Sequence, residues 1–130
     1  MQLNVTTDYA VRIVLYLASK KDVANSGEIA REMGIPPNYI LKLMKTLKEG
    51  GVLSEKRGVD GGFMLKAAPE ELTLWTILNL FEKTMVINKC LEGDPYCSRN
   101  AVAYCKVRDL LGEVQNELYG KLNVKISELL

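Results

Sequence analysis

Over the first fifty residues apolar side chains recur at intervals of three and four, the spacing of a helix with one buried face. Ala10, Val11, Val14, Leu15, Leu17 and Ala18 form the first such stripe, behind Thr6 or Thr7 as N-cap and with Asp8 in the first turn. The stripe ends in the polar stretch from Lys20 to Asn25. Ser26 then opens a short second helix with Ile29, Ala30 and Met33 inward, and Gly34 stops it in the left-handed conformation that glycine tolerates. A third helix starts near Pro37 or Asn38, since proline fits a first helical turn. At about 100° per residue, Ile40, Leu43, Met44 and Leu47 fall on one of its faces. Asn38, Lys42, Lys45 and Glu49 fall on the other.

After Gly50-Gly51 the period changes from helical to alternating. Val52 to Arg57 and Gly62 to Lys66 read as two strands joined through Gly58-Val59-Asp60-Gly61. Leu74, Ile77, Leu78 and Phe81 then restore helical spacing behind a Thr73 cap. From Met85 to about Arg99 periodicity is lost, and the stretch reads as the one long loop of the chain. A last helix is expected from about Asn100 to Leu122, with Val107, Leu111, Val114, Leu118 and Leu122 forming a seam. A single amphipathic helix cannot bury its own seam, so a second copy of the chain is the expected partner.

These elements predict a mainly α fold with a small β-hairpin wing: a winged helix-turn-helix plus a long C-terminal dimerisation helix. Residues 1–82 form the expected DNA-binding domain, 83–99 a cysteine-bearing loop, and 100–130 the dimerisation helix and tail. At 130 residues, 48% hydrophobic, the chain has room for one domain and a short appendage. Its net charge of +1 announces no partner. Between Pro36 and Lys66, however, Lys42, Lys45, Lys48, Lys56, Arg57 and Lys66 outnumber Glu49, Glu55 and Asp60, which makes a local basic patch. No apolar run approaches the roughly 18–20 residues of a membrane span, and no basic-then-apolar leader opens the chain, so a soluble cytoplasmic protein is expected.

Histidine is absent, which excludes Ser-His-Asp and Cys-His catalysis, and no acid–base pair or phosphate loop is visible. The expectation is a binding protein and no enzyme. A basic stripe on the second helix of a helix-turn-helix, beside a hairpin rimmed by Arg57-Gly58-x-x-Gly61-Gly62, fits double-stranded operator DNA. Asn38, Tyr39, Lys42 and Lys45 are the candidates on the helix. Lys56, Arg57, Gly58, Gly61 and Gly62 are those on the wing, where a guanidinium can enter the minor groove.

A second constellation is Cys90-x6-Cys97-x7-Cys105, which holds all three cysteines of the chain. The odd count and the lack of any secretion signal speak against a disulfide framework. Thiolates at this spacing suit an iron–sulfur cluster, zinc or copper(I), and a metal-free thiol redox switch is a further alternative. Three ligands leave one position to be filled by an oxygen ligand, a small molecule or another subunit.

Taken together, Thr7-Asp8-Tyr9-Ala10-Val11-Arg12, Tyr39-Ile40-Leu41, Leu47-x-x-x-Gly51-Val52-Leu53, Arg57-Gly58-x-x-Gly61-Gly62-Phe63-x-Leu65 and the three cysteines resemble the Rrf2 family of winged-helix regulators, end to end. The resemblance implies a dimer with crossing C-terminal helices and operator binding by the third helix and wing. It also implies an iron–sulfur cluster on Cys90, Cys97 and Cys105, as in the IscR-like and NsrR-like branches. A histidine three residues past the third cysteine completes the cluster in the first branch, and Arg108 stands at that position here. An aspartate near the start of the first helix, donated by the partner subunit, serves in some members of the second, and Asp8 occupies that place. Glu92 and Asp94 are the reserve ligands.

Overall fold

Three amphipathic stripes close on one another because none can shed its apolar face alone. The computed structural model describes residues 1–130. Helices α1 (Val5–Lys20), α2 (Ser26–Met33) and α3 (Pro37–Glu49) precede a hairpin of β1 (Leu53–Lys56) and β2 (Gly62–Leu65), followed by α4 (Leu74–Phe81) and α5 (Lys106–Leu122). Short 3-10 turns lie at Lys89–Leu91 and Ile126–Leu129. No helix is long and apolar enough to cross a membrane.

Ile13, Val14 and Leu17 of α1, Ile29 of α2, and Leu43, Met44 and Leu47 of α3 meet in one core with Val52, Leu53 and Ile77. Each fully buried aliphatic side chain contributes about 1.5–3 kcal/mol. The inward face of α1 centres on Ile13, which is fully buried, whereas Val11 and Leu15 sit at its margin. The α1 cap is Asn4, whose side chain accepts from the Thr6 N–H; Thr6 and Thr7 lie inside the helix. Likewise Asn25, not Ser26, caps α2 by accepting from the Glu28 N–H, and Gly34 ends it at φ 63° as expected.

The hairpin is antiparallel, with Leu53 opposite Leu65 and Lys56 opposite Gly62. Its strands are shorter than the alternation predicts, because the Val52 N–H leaves the ladder and donates back to the Leu47 carbonyl of α3 at 2.9 Å. The hairpin is also tied to the α1–α2 linker. Phe63 and Ala24 exchange both backbone bonds, at 2.8 and 3.0 Å. A Cβ on Gly62 would lie 2.4 Å from the Ala24 carbonyl oxygen, so this approach requires glycine.

The last helix begins six residues later than predicted, at Lys106. Asn100 takes a left-handed φ of 54°, Ala101 is buried as an anchor, and Cys105 is the cap. The tail beyond α5 folds back onto the head. The Leu74 N–H donates to the Val124 carbonyl at 2.9 Å and the Ile126 N–H to Leu72 at 2.8 Å, which seats Ile126 in the core.

Candidate nucleic-acid interface and cysteine cavity

Burial of Ile40, Leu43, Met44 and Leu47 leaves Asn38, Tyr39, Lys42 and Lys45 on the exposed side of α3. Tyr39 is not free to swing: its ring meets that of Tyr9 edge-on, centroids 5.6 Å apart. The Arg12 guanidinium lies 5.3 Å from the Tyr9 centroid and bonds Asp8 at 2.6 Å and the Met33 carbonyl at 3.1 Å. Lys45 approaches Glu49 only to 4.0 Å in an open surface pair, which leaves its charge available.

Lys48, part of the expected basic patch, is engaged elsewhere. It bonds Glu55 at 2.9 Å, fastening α3 to β1, and this bond with the lysine charge holds the Glu55 carboxyl below its usual range. Lys56, Arg57 and Gly58 are fully on the surface, and Gly58 adopts φ 113°. Gly61 is pinned by its N–H to the Gly58 carbonyl at 3.1 Å. Leu41, which the sequence places in neither the buried face nor the polar stripe, is 65% exposed on α3. An apolar residue beside a polar stripe was the signal for it.

The irregular segment and the start of α5 bring the three cysteines together. Cys90, Cys97 and Cys105 line one cavity of about 400 Å³ with Lys89, Arg99 and Arg108, and no carboxylate is among its lining residues. All three are free thiols, partly exposed. The Cys105 sulfur accepts from the Arg108 N–H and the Cys90 sulfur from the Asn88 amide, both at 3.4 Å. Backbone N–H groups of Ala101 and Arg99, with the Arg99 charge behind them, hold the Cys97 thiol below its ordinary value.

Arg108 donates through Nε to the Cys90 carbonyl at 2.9 Å, tying the loop to α5. Gln115 adds a second tie, donating to the Met85 carbonyl at 3.0 Å and accepting from the Ile87 N–H at 2.8 Å. No three of the Cys, Asp and Glu side chains stand close enough together to hold a metal ion. The donor set, three thiols with Lys89, Arg99 and Arg108 at the wall, has the chemistry of a site for a soft-ligated anionic group. Asp8 lies outside the cavity, on α1, in its ion pair with Arg12. Glu92 is paired with Lys89 at 2.8 Å, and neither it nor Asp94 lines the cavity.

A family model described as Rrf2, iron-dependent transcriptional regulator, matches residues 3–130. The protein Rrf2 of Nitratidesulfovibrio vulgaris is 29% identical over 125 residues, covering 95% of this chain and 82% of that protein. The transcriptional regulator NsrR of Halalkalibacterium halodurans is 29% identical over 116 residues, 87% of this chain and 78% of its own. Among solved structures, T. potens IscR superposes with a TM-score of 0.76 at 17% identity, covering 99% of this chain and 85% of that one. CymR, the global cysteine regulator of B. subtilis, gives 0.71 at 21% identity, covering 99% and 95%. With a helix-turn-helix, a wing and a family match along almost its whole length, the chain belongs to the Rrf2 family of DNA-binding transcriptional regulators, which are not enzymes.

Proposed function

We propose that this regulator binds operator DNA as a homodimeric repressor whose affinity is set by an iron–sulfur cluster on Cys90, Cys97 and Cys105, with Asp8 of the partner subunit as fourth ligand. The observation that carries the reading is the shared cavity: three thiols from separate turns, no carboxylate, and two arginines at its wall. Bound there, a cluster supplies a centre that reacts with nitric oxide or oxidants, or is lost when iron is scarce. The chain's own residues transmit occupancy. Arg108 and Gln115 fasten the cysteine segment to α5, and Glu82, which opens that segment, holds the N-terminus of α1 through Asn4 and Thr7. The state of the loop thereby bears on both the dimer helix and the reading head. Two recognition helices must lie about 34 Å apart to enter successive major grooves.

A switch of about 100-fold in DNA affinity requires about 2.7 kcal/mol of coupling between the sites. The test compares operator affinity of anaerobically purified and metal-free protein at one salt concentration, with iron and sulfide assayed on the same samples. Equal affinities end the switch. Full cofactor content in a Cys97→Ser variant ends the ligand assignment.

A metal-free thiol switch is the second reading, favoured by the three free, partly exposed thiols and the low-lying Cys97. One of the structural neighbours is an oxidised form of Staphylococcus aureus CymR, with a TM-score of 0.74 at 19% identity. Protein that purifies without iron, and forms a reversible Cys–Cys link with peroxide, supports it over the cluster.

A further inference from the structure

The most exposed large apolar side chain of α3 is Leu41, at 65%. The helix buries its remaining aliphatic residues almost completely: Ile40, Leu43, Met44 and Leu47 are each at most 4% accessible. Leu41 therefore contributes nothing to the head's core, and nothing in the monomer covers it. At about 100° per residue it stands beside Asn38, Lys42 and Lys45 on the outer side of the helix. It also borders the N-terminal turn of α2, where Ser26 and Gly27 share a surface hollow of about 410 Å³ with it.

We infer that Leu41 is a specificity-determining residue that packs against the C5-methyl group of a thymine in each operator half-site. The inference rests on reading α3 as the recognition helix and goes beyond it by naming the base feature read. Charge selects the occupant of this face. Lys45 lies about 40° and Lys42 about 100° around the helix from Leu41, and of the two only Lys45 meets a carboxylate, at 4.0 Å. A polyanion therefore covers this surface in preference to another protein's apolar face. In the major groove the thymine methyl is the one apolar group the base edges present. A leucine beside phosphate-seeking lysines thus has one chemically matched partner on the duplex. The lysines supply affinity without sequence information, and Leu41 supplies information with little affinity.

Deoxyuridine tests this directly, since it differs from thymidine only by that methyl. A preferred duplex is first selected from a randomised pool, using whichever loading state of the purified protein binds DNA. Each thymine of a half-site is then replaced singly by deoxyuridine, and affinities are measured for the wild-type protein, Leu41→Ala, Lys42→Ala and Lys45→Ala. At one thymine per half-site the wild type is expected to bind about three- to fivefold more weakly without the methyl. Leu41→Ala should be indifferent at that position, with the salt dependence of binding unchanged. Lys42→Ala should weaken binding to every duplex and lower the salt slope by about one.

The inference is overturned if no thymine methyl matters to the wild type, or if Leu41→Ala keeps the wild-type profile while Lys42→Ala binds more weakly. If Lys42→Ala and Lys45→Ala both bind with wild-type affinity and salt slope, the α3 reading itself fails and the inference falls with it. Circular dichroism on each variant identifies loss of fold, and a Leu41→Met variant, which retains apolar reach, should restore the methyl preference.

Discussion

Thr7 is the one polar residue fully buried in the chain, and its hydroxyl donates to Glu82 across 75 residues of sequence, at 2.7 Å. The same carboxylate oxygen accepts the Asn4 N–H at 2.6 Å. Removing the acceptor strands a buried donor, whereas removing the hydroxyl leaves a half-exposed carboxylate that water can serve. Glu82→Ala should therefore cost about 1–3 kcal/mol in urea unfolding and Thr7→Val distinctly less. The reverse order would show that the contact does not hold the α1 terminus. A second cluster makes stability depend on pH. Glu28 accepts from Tyr16 at 2.7 Å and from Lys20 at 2.6 Å. The carboxylate raises the Tyr16 pKa from 10.0 to about 12, and the Lys20 bond lowers that of Glu28 from 4.5. A raised tyrosine pKa favours the folded state fully below pH 10 and loses that contribution as pH climbs toward 12. The lowered Glu28 works the other way, contributing above pH 4.5 and failing as pH falls through its folded value. The difference in urea midpoint between wild type and Tyr16→Phe should be flat between pH 4.5 and pH 10 and shrink above pH 10. A difference that does not vary with pH removes this account.

Among the elements, the hairpin shows how two neighbouring glycines answer to different causes. Gly58 has φ 113° with open space around its absent Cβ, so Gly58→Ala meets only backbone strain, about 1–3 kcal/mol. Gly62→Ala meets in addition the Ala24 backbone at 2.4 Å and must break the bridge that seats the wing. It should be the more destabilising of the two, and hydrogen exchange should show the Phe63 amide losing protection only there. The hairpin, the three head helices and α4 were legible because each sets a local period against a single core. Residues 74–81 follow their pattern to the residue, with Thr73 as cap. What escaped the pattern depends on distant partners. Thr7 looked like a cap because its tie to Glu82 has no local trace, and Asn4 took the cap instead. The stretch 100–105 has helical spacing, but Asn100 turns left-handed and the sulfur of Cys105 caps α5 by accepting the Arg108 N–H of its first turn. The tail at 124–126 is too short to show any period, so the strand-like bonds that bury Ile126 could only be seen in three dimensions. The cysteines were legible as a group by chemistry, whereas the arginines that wall their cavity were not, because folding alone brings Arg99 and Arg108 to it.

For the whole molecule the decisive fact is that α5, 17 residues long, has no buried residue. Its ties to the rest of the chain are few: Gln115 and Arg108 to the cysteine segment, and Tyr119 edge-on to Trp75 of α4 at 4.9 Å. Tyr104 just before it, then Val107, Leu110 and Val114, remain 43–65% exposed. A helix of this length is marginal in water without tertiary support, and an apolar stripe of this kind is an interaction surface. The homodimer proposed above covers it with the same stripe of a second copy. In a two-fold interface each substitution is present twice. Burying an unpaired carboxylate there costs several kcal/mol per ion, so Val114→Asp should weaken association at least 100-fold, about 2.7 kcal/mol. Asn116→Asp adds the same charge about 200° around the helix, away from the stripe, and should leave the dimer intact. Sedimentation of the two variants at equal concentration decides the matter, with circular dichroism to confirm that both keep their helices. If Val114→Asp is monomeric it should also bind a two-half-site duplex no better than a single half-site, because the avidity of paired heads is lost. A Val114→Asp protein that still sediments as a dimer would place the contact between copies elsewhere and leave the exposed face of α5 without its partner.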